Sequence, residues 1–273
     1  MGFPTMPAVQ MDRLKAQITQ LSWQFTQPVE YRRSLHDFME QYSERVYRAG
    51  SAVQSSKMYR SHHLPPLIMR QLELELIVRT RENSGAALLL ADELWQDEYV
   101  EPRLLAGFLL GQAALEPVDE VTRRLQTWCQ PAEERTALAN LLDQGCLRLR
   151  NERTDIWLGL ISDWLGNASP NVQAMGIKAM LPAVKDRDWE NLPPIYQALT
   201  PMLVVSPLKN QNELQEVLIA LARRSPRETV FTLRQMLSNT TRPDLFRLVR
   251  RCLPSFPQQA QESLSAVLKN APM

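Results

Sequence analysis

The sequence predicts an all-α protein built as a stack of helical hairpins, and two sets of residues predict it. The first is an apolar comb at i, i+3, i+4 and i+7 that recurs along the chain, the spacing of one helix face. Its copies are Leu105/Phe108/Leu109/Gln112, Leu138/Leu141/Leu142/Gly145, Val172/Met175/Gly176/Ala179, Leu214/Val217/Leu218/Leu221 and Leu245/Leu248/Val249/Cys252. Their starts are separated by 33, 34, 42 and 31 residues. The second set is a series of bulky anchors closing the helix before each comb: Trp95, Trp128, Trp164, Met202, Met236 and Val267, separated by 33, 36, 38, 34 and 31 residues. Two independent patterns with one period, in a chain with only 9 Gly and no alternating β-branched runs, indicate a right-handed α-solenoid of HEAT/armadillo-like helical hairpin repeats.

The clearest unit runs from Glu152 to Pro182. Its first half sets Ile156, Leu160, Ile161 and Trp164 at helical spacing, then Ser169-Pro170 supplies an N-cap and a first helical residue. Such a hairpin cannot bury both apolar faces alone, so it needs copies on either side.

In chain order, residues 1–8 read as a flexible tail and 9–60 as N-terminal capping helices. The first helix is expected over Gln10 to Thr26, with Leu14, Ile18, Leu21 and Phe25 on one face. Pro28 ends it, and Tyr31 to Ala49 follows with Leu35, Phe38, Met39, Tyr42 and Val46. Ser51 to Lys57 reads as a turn. The repeat region is expected over 61–273 as one stack without an internal boundary. It opens on Tyr59 to Pro66 as a loop containing His62-His63, and Leu67 to Thr80 returns to helical spacing. Pro102, Pro117, Pro131, Pro170, Pro201, Pro226 and Pro243 suit helix starts, and Asp186 to Pro194 is a longer loop or partial insertion.

Composition excludes several classes. Apolar content of 44% and charged content of 22% are ordinary for a globular chain. No apolar run is long enough to span a bilayer and no basic-then-apolar leader opens the chain, so a cytoplasmic protein is expected. Cys129, Cys146 and Cys252 are odd in number, widely spaced and on apolar helical positions, hence buried free thiols. His62-His63 reads as a solvated loop pair, with no nearby ligand to complete a metal site. No phosphate loop, nucleophile elbow or zinc-protease pattern occurs. No metal and no small-molecule cofactor are expected.

Charge is polarised although the formal net charge is only +1. Residues 89–136 carry a net of −6, and residues 209–252 a net of +5, the latter nearly all arginine. Arginine forks suit phosphate and carboxylate oxygens. Arg223, Arg224, Arg247, Arg250 and Arg251 are therefore candidate contacts to a nucleic-acid backbone or a protein partner. The dipole at a helix C-terminus also favours a cation there, which accounts for part of the pattern. Trp189, an aromatic among charges in Asp186 to Glu190, is a candidate binding anchor, or a staple onto the next helix. A monomer binding its macromolecular partner along the concave face is expected.

Residues 55–270 resemble the HEAT-like solenoid family of DNA alkylation repair proteins, the alkylpurine DNA glycosylases. Three passages carry the resemblance: His62-His63-Leu64-Pro65-Pro66-Leu67-Ile68-Met69-Arg70; Glu93-Leu94-Trp95-Gln96-Asp97-Glu98-Tyr99 followed by Glu101 to Ala106; and Leu218 to Ser225. The resemblance implies a DNA-facing arginine at Arg223. It also implies a catalytic carboxylate that stabilises positive charge on the departing nucleoside, with aromatic faces beside it. At those positions this chain resembles the family in fold and departs from it in chemistry: Ala139 stands for the carboxylate, and Arg135 and Ala220 for the aromatics. Asp143, one turn beyond Ala139, is the remaining catalytic candidate. A non-catalytic solenoid that binds a macromolecular partner is the expectation, and an alkylpurine DNA glycosylase the alternative.

Overall fold

The computed structural model describes residues 11–43, 59–131, 133–204 and 207–269. The expected tail over 1–8, the turn over Ser51 to Lys57 and the end of the second helix, Val46 included, lie outside the described residues. The described elements are helical, apart from one isolated parallel bridge between Arg60 and Tyr99. The chain divides into two compact units, Met1–Arg148 and Leu149–Met273.

In the first unit, α1 (Met11–Ser22) and α2 (Pro28–Tyr42) precede α3 (Pro66–Glu82), α4 (Ser84–Trp95), α5 (Val100–Gln112), α6 (Asp119–Trp128) and α7 (Arg135–Asn140). A π-helical turn, Leu141–Gly145, joins α7 to α8 (Leu147–Glu152). Leu14, Ile18 and Leu21 of α1 are buried, as are Leu35, Phe38 and Met39 of α2. The first helix stops at Ser22, short of Thr26, and Phe25 is still buried from the turn that follows. One layer runs α3, α5, α7, with α2 and α4 packed as the other and α4 lying along α5. The anchors Trp95 and Trp128 stack face to face, ring centres 4.9 Å apart and 7° from parallel, so the repeat spacing becomes an aromatic contact.

α5 packs closely on the chain around the π turn. A Cβ on Gly111 would lie 1.7 Å from the Gln144 carbonyl oxygen, and one on Gly107 2.4 Å from Asn140 Oδ1. Glycine here sets how closely two backbones approach.

The second unit holds α9 (Thr154–Leu165), α10 (Pro170–Ala179), α11 (Leu181–Lys185), α12 (Pro193–Val204), α13 (Gln211–Arg224), α14 (Pro226–Ser238), α15 (Pro243–Cys252) and α16 (Gln258–Lys269). One layer runs α10, α13, α15; α9 packs on α12, and α14 on α16. The combs Leu214/Val217/Leu218/Leu221 and Leu245/Leu248/Val249/Cys252 are buried throughout. Three anchors need correction. The deeply buried residues are Leu203, Leu237 and Leu268, one position beyond Met202, Met236 and Val267, which are half-exposed. Leu199/Leu203, Leu233/Leu237 and Leu264/Leu268 form the i, i+4 stripe, and the next residue is turned by roughly 100°.

Proline starts α2, α3, α10, α12, α14 and α15. Pro201 does not; it lies inside α12, near its C-terminal end. Its missing N–H falls in the last turn, while Leu199 and Leu203 hold the helix to its neighbours. Pro182 sits in the first turn of α11, so the reference hairpin is followed by a short helix before the 186–192 loop.

Candidate functional site

The first unit gathers its polar chemistry where the 59–65 segment meets the α4–α5 corner. Arg60 N donates to Glu98 O and Val100 N to Arg60 O, both at 3.0 Å, which fastens that segment to the start of α5. His62, read as solvated from the sequence, is 8% exposed. Its ring stacks on Tyr99 at 4.1 Å, and its Nε2 lies 3.0 Å from His36 Nδ1. His36 Nε2 donates to Asp97 Oδ2 at 2.8 Å. Two positions 61 residues apart thus share a part-buried hydrogen-bonded chain, which no local pattern announces. Burial lowers the His62 pKa, and the Glu101 carboxylate opposes that shift.

Asp97 is 4% exposed and organises the corner. Its Oδ1 accepts the Tyr99 N–H at 2.9 Å and its carbonyl accepts Arg103 Nε at 2.7 Å. Arg103 also pairs with Glu133 and sits over the Tyr59 ring at 4.3 Å and the Trp95 ring at 5.2 Å. Acidic residues that looked like a charged surface are spent here on internal bonds.

Beside this corner lies an open cleft of about 500 Å³ between α3, the start of α5 and the end of α7. Ser61, Leu64, Met69, Glu101, Leu104 and Asn140 line it. Ser61 Oγ donates to Glu101 Oε1 at 2.6 Å and accepts the His63 N–H at 3.0 Å. His63 takes a left-handed backbone, φ 51°, which the bond to Ser61 supports.

The sequence-predicted residues are distributed as follows. Asp143 lies in the π turn, half-buried, and accepts from Gln144 Nε2 at 3.2 Å. Ala139 and Arg135 are exposed on α7, and Ala220 is half-buried on α13. Trp189 is 8% exposed, its ring edge-on to Trp157 at 5.7 Å. Arg224 donates to the Arg187 carbonyl at 2.7 Å, and Arg250 to the Leu268 carbonyl at 3.2 Å. Arg251 donates to Gln211 Oε1 at 2.9 Å. Arg223 and Arg247 are exposed. Among the described residues, none of these five arginines is in an ion pair with a carboxylate. Sequence reasoning did not single out His36, Ser61 or Glu101. Only Glu101 carried a signal, as the acidic residue opening the Ala-rich α5.

Cys129, Cys146 and Cys252 are buried free thiols, as expected. Burial pushes the Cys252 thiol up to about 12 and the Cys129 thiol well above its ordinary value. Neither is a thiolate nucleophile at neutral pH. Among the described residues no helix is long and apolar enough to cross a membrane. No group of three or more His, Cys, Asp or Glu there could hold a metal ion.

No curated protein and no solved structure matches the chain. The family model described as "DNA alkylation repair enzyme" matches residues 50–201, which takes in the His62–Asp97 corner, the cleft and the π turn. That match covers more than half of the 273 residues, and the chain belongs to the DNA alkylation repair enzyme family.

Proposed function

We propose that this chain is a HEAT-like α-solenoid that binds the phosphate backbone of duplex DNA along its concave face of second helices, without cutting the glycosidic bond. It acts as a cytoplasmic monomer with no small-molecule cofactor. The observation that carries the binding is the set of arginines at the end of α13 and along α15, none of them in an ion pair with a carboxylate among the described residues. A guanidinium that bonds a carbonyl or an amide keeps its charge, so it still attracts phosphate. Arg223, Arg247, Arg250 and Arg251 are exposed; Arg223, Arg247 and Arg251 are the proposed contacts, and Arg224 and Arg250 add charge while holding neighbouring backbone. Family membership supports DNA as the partner. Ala139 supports the absence of excision, since a methyl group cannot stabilise an oxocarbenium-like centre.

The alternative, an alkylpurine DNA glycosylase, draws on Asp143. π turns are frequent at functional sites, and this carboxylate sits in one. Two measurements separate the readings. The first is binding to a short duplex at two salt concentrations, for the wild type and for a variant carrying Arg223→Ala, Arg247→Ala and Arg251→Ala. The proposal expects tight binding in the wild type and a slope of log affinity against log salt that falls by nearly one per lost contact. Salt-independent or absent binding at low salt sinks it and turns attention to a protein partner. The second is abasic-site formation on alkylated DNA. Excision abolished by Asp143→Asn would establish the glycosylase reading instead.

A further inference from the structure

We propose that the cleft between α3, α5 and α7 binds the cationic head of an organic ligand, an ammonium or guanidinium group on an apolar stem. The central observation is Glu101, 5% exposed at the cleft wall. Ser61 Oγ holds its Oε1, but no donor among the described residues reaches its Oε2. A buried carboxylate oxygen without a donor is costly, and native proteins rarely leave one so. Asn140 lines the same cleft, its Oδ1 packed against Gly107 of α5.

Among the described residues no cationic side chain donates a hydrogen bond to this Glu101 oxygen. Arg70 lines the cleft, yet its guanidinium goes to Glu73 at 3.2 Å. Of the two imidazoles nearby, the His63 ring lies 3.3 Å from Ser61 Oγ and His62 is disfavoured as a cation by its burial. The N-terminal turn of α5 favours a carboxylate there but gives Oε2 no hydrogen bond. The acceptors are too few for a metal ion, consistent with the lack of any group of three ligands. The free oxygen of Glu101 suits an N–H-bearing cationic head, and Leu64, Met69 and Leu104 offer an apolar wall for its stem. The volume, about 500 Å³, is within the roughly 300–1,000 Å³ of small-molecule sites. The head belongs either to a free amine or to an arginine or lysine side chain of a partner; the chemistry is the same.

Neither DNA binding nor excision is required for this site. The test is NMR titration of the full chain with four probes: n-butylguanidinium, spermidine, the peptide acetyl-Ala-Arg-Ala-amide and its citrulline counterpart, which is neutral and of the same shape. Saturable shifts at Ser61, Leu64 and Leu104 with at least one cationic probe, and none with the citrulline peptide, support the site. Strongest binding by the peptide assigns the head to a partner side chain; binding by the free cations alone assigns it to a small molecule. Glu101→Gln should weaken binding about tenfold or more, while Glu98→Gln, at a side chain 68% exposed, should not change it. No saturable shift with any cation, equal binding of the citrulline peptide, or unchanged affinity in a folded Glu101→Gln protein overturns the proposal. Should Glu101→Gln fail to fold, the arginine–citrulline comparison on the wild type decides alone.

Discussion

In the unit Met1–Arg148 the guanidinium groups of Arg32, Arg79, Arg103 and Arg124 end on carboxylates, whereas in Leu149–Met273 those of Arg224 and Arg250 end on main-chain carbonyls. The first unit contains the acidic stretch and the second the basic one. Where acid is plentiful, arginine closes ion pairs between helices, as Arg124 does with Asp92 at 2.6 Å. In the second unit Arg250 bonds the Leu268 carbonyl at the end of α16 and Arg224 the Arg187 carbonyl of a loop, so their charge persists, while Arg242 still pairs with Asp244. A net charge read along the sequence therefore means different things in the two units. In the first unit arginines pair with carboxylates; in the second Arg224 and Arg250 keep their charge beside carbonyls.

Backbone approach breaks the comparison hardest. Gly111→Ala in α5 must drive its Cβ into the Gln144 carbonyl, so the first unit should lose roughly 3 kcal/mol or more. Gly159→Ala in α9 meets nothing within 4 Å and should stabilise by about 0.5–1 kcal/mol through helix propensity. Paired denaturant titrations give both values, and similar shifts for the two would refute the account of α5 packing.

Removal of the carboxylate at the hub comes next. Asp97→Ala strips His36 and the Tyr99 N–H of their acceptor inside a buried corner, at a cost of about 2–3 kcal/mol. Loss of the His36 ring's chemical-shift signature would accompany it.

The neighbouring arginines of α13 give a smaller and sharper contrast. Arg224→Ala removes the donor to the Arg187 carbonyl and should cost about 1–2 kcal/mol. Arg223→Ala, on an exposed side chain, should stay within about 0.5 kcal/mol of the wild type yet weaken DNA binding. Equal stability losses would show that the two residues share one role.

The smallest effect is the pH response of the first unit. Burial holds His62 below its ordinary value of 6.5, so the unfolded chain binds a proton more readily than the folded one. The stability linked to this group is complete above about pH 6.5 and is lost as pH falls through the lower folded value. Unfolding midpoints between pH 7.5 and 5 should fall more steeply for the wild type than for His62→Phe. Identical slopes would remove His62 from the account.

Much of this was legible in the amino-acid order. Helix faces were, because burial of one face imposes a 3.6-residue period that any helix displays, and Leu214/Val217/Leu218/Leu221 displayed it plainly. The anchors Trp95 and Trp128 were legible in position, and their stacking follows from equal spacing in neighbouring hairpins. The Met202, Met236 and Val267 anchors slipped by one residue, since an apolar neighbour adjoins each true core leucine and local pattern cannot choose between them. The cleft was not legible at all. Ser61, Glu101 and Asn140 come from three separated segments, and each alone reads as an ordinary polar residue.

The sequence by itself determined the all-helical class, the repeat spacing, the helix starts at Pro170, Pro226 and Pro243, and the burial of the three thiols. These are local consequences of side-chain periodicity and of a fixed proline φ. Tertiary structure alone decided which charges cancel. It turned His62 inward onto Tyr99 and His36, tucked Trp189 against Trp157, joined Arg124 to Asp92, and left a carboxylate oxygen of Glu101 without a donor. Such outcomes depend on distances between residues far apart in the chain, and hydrogen bonds and ion pairs act only across a few ångströms.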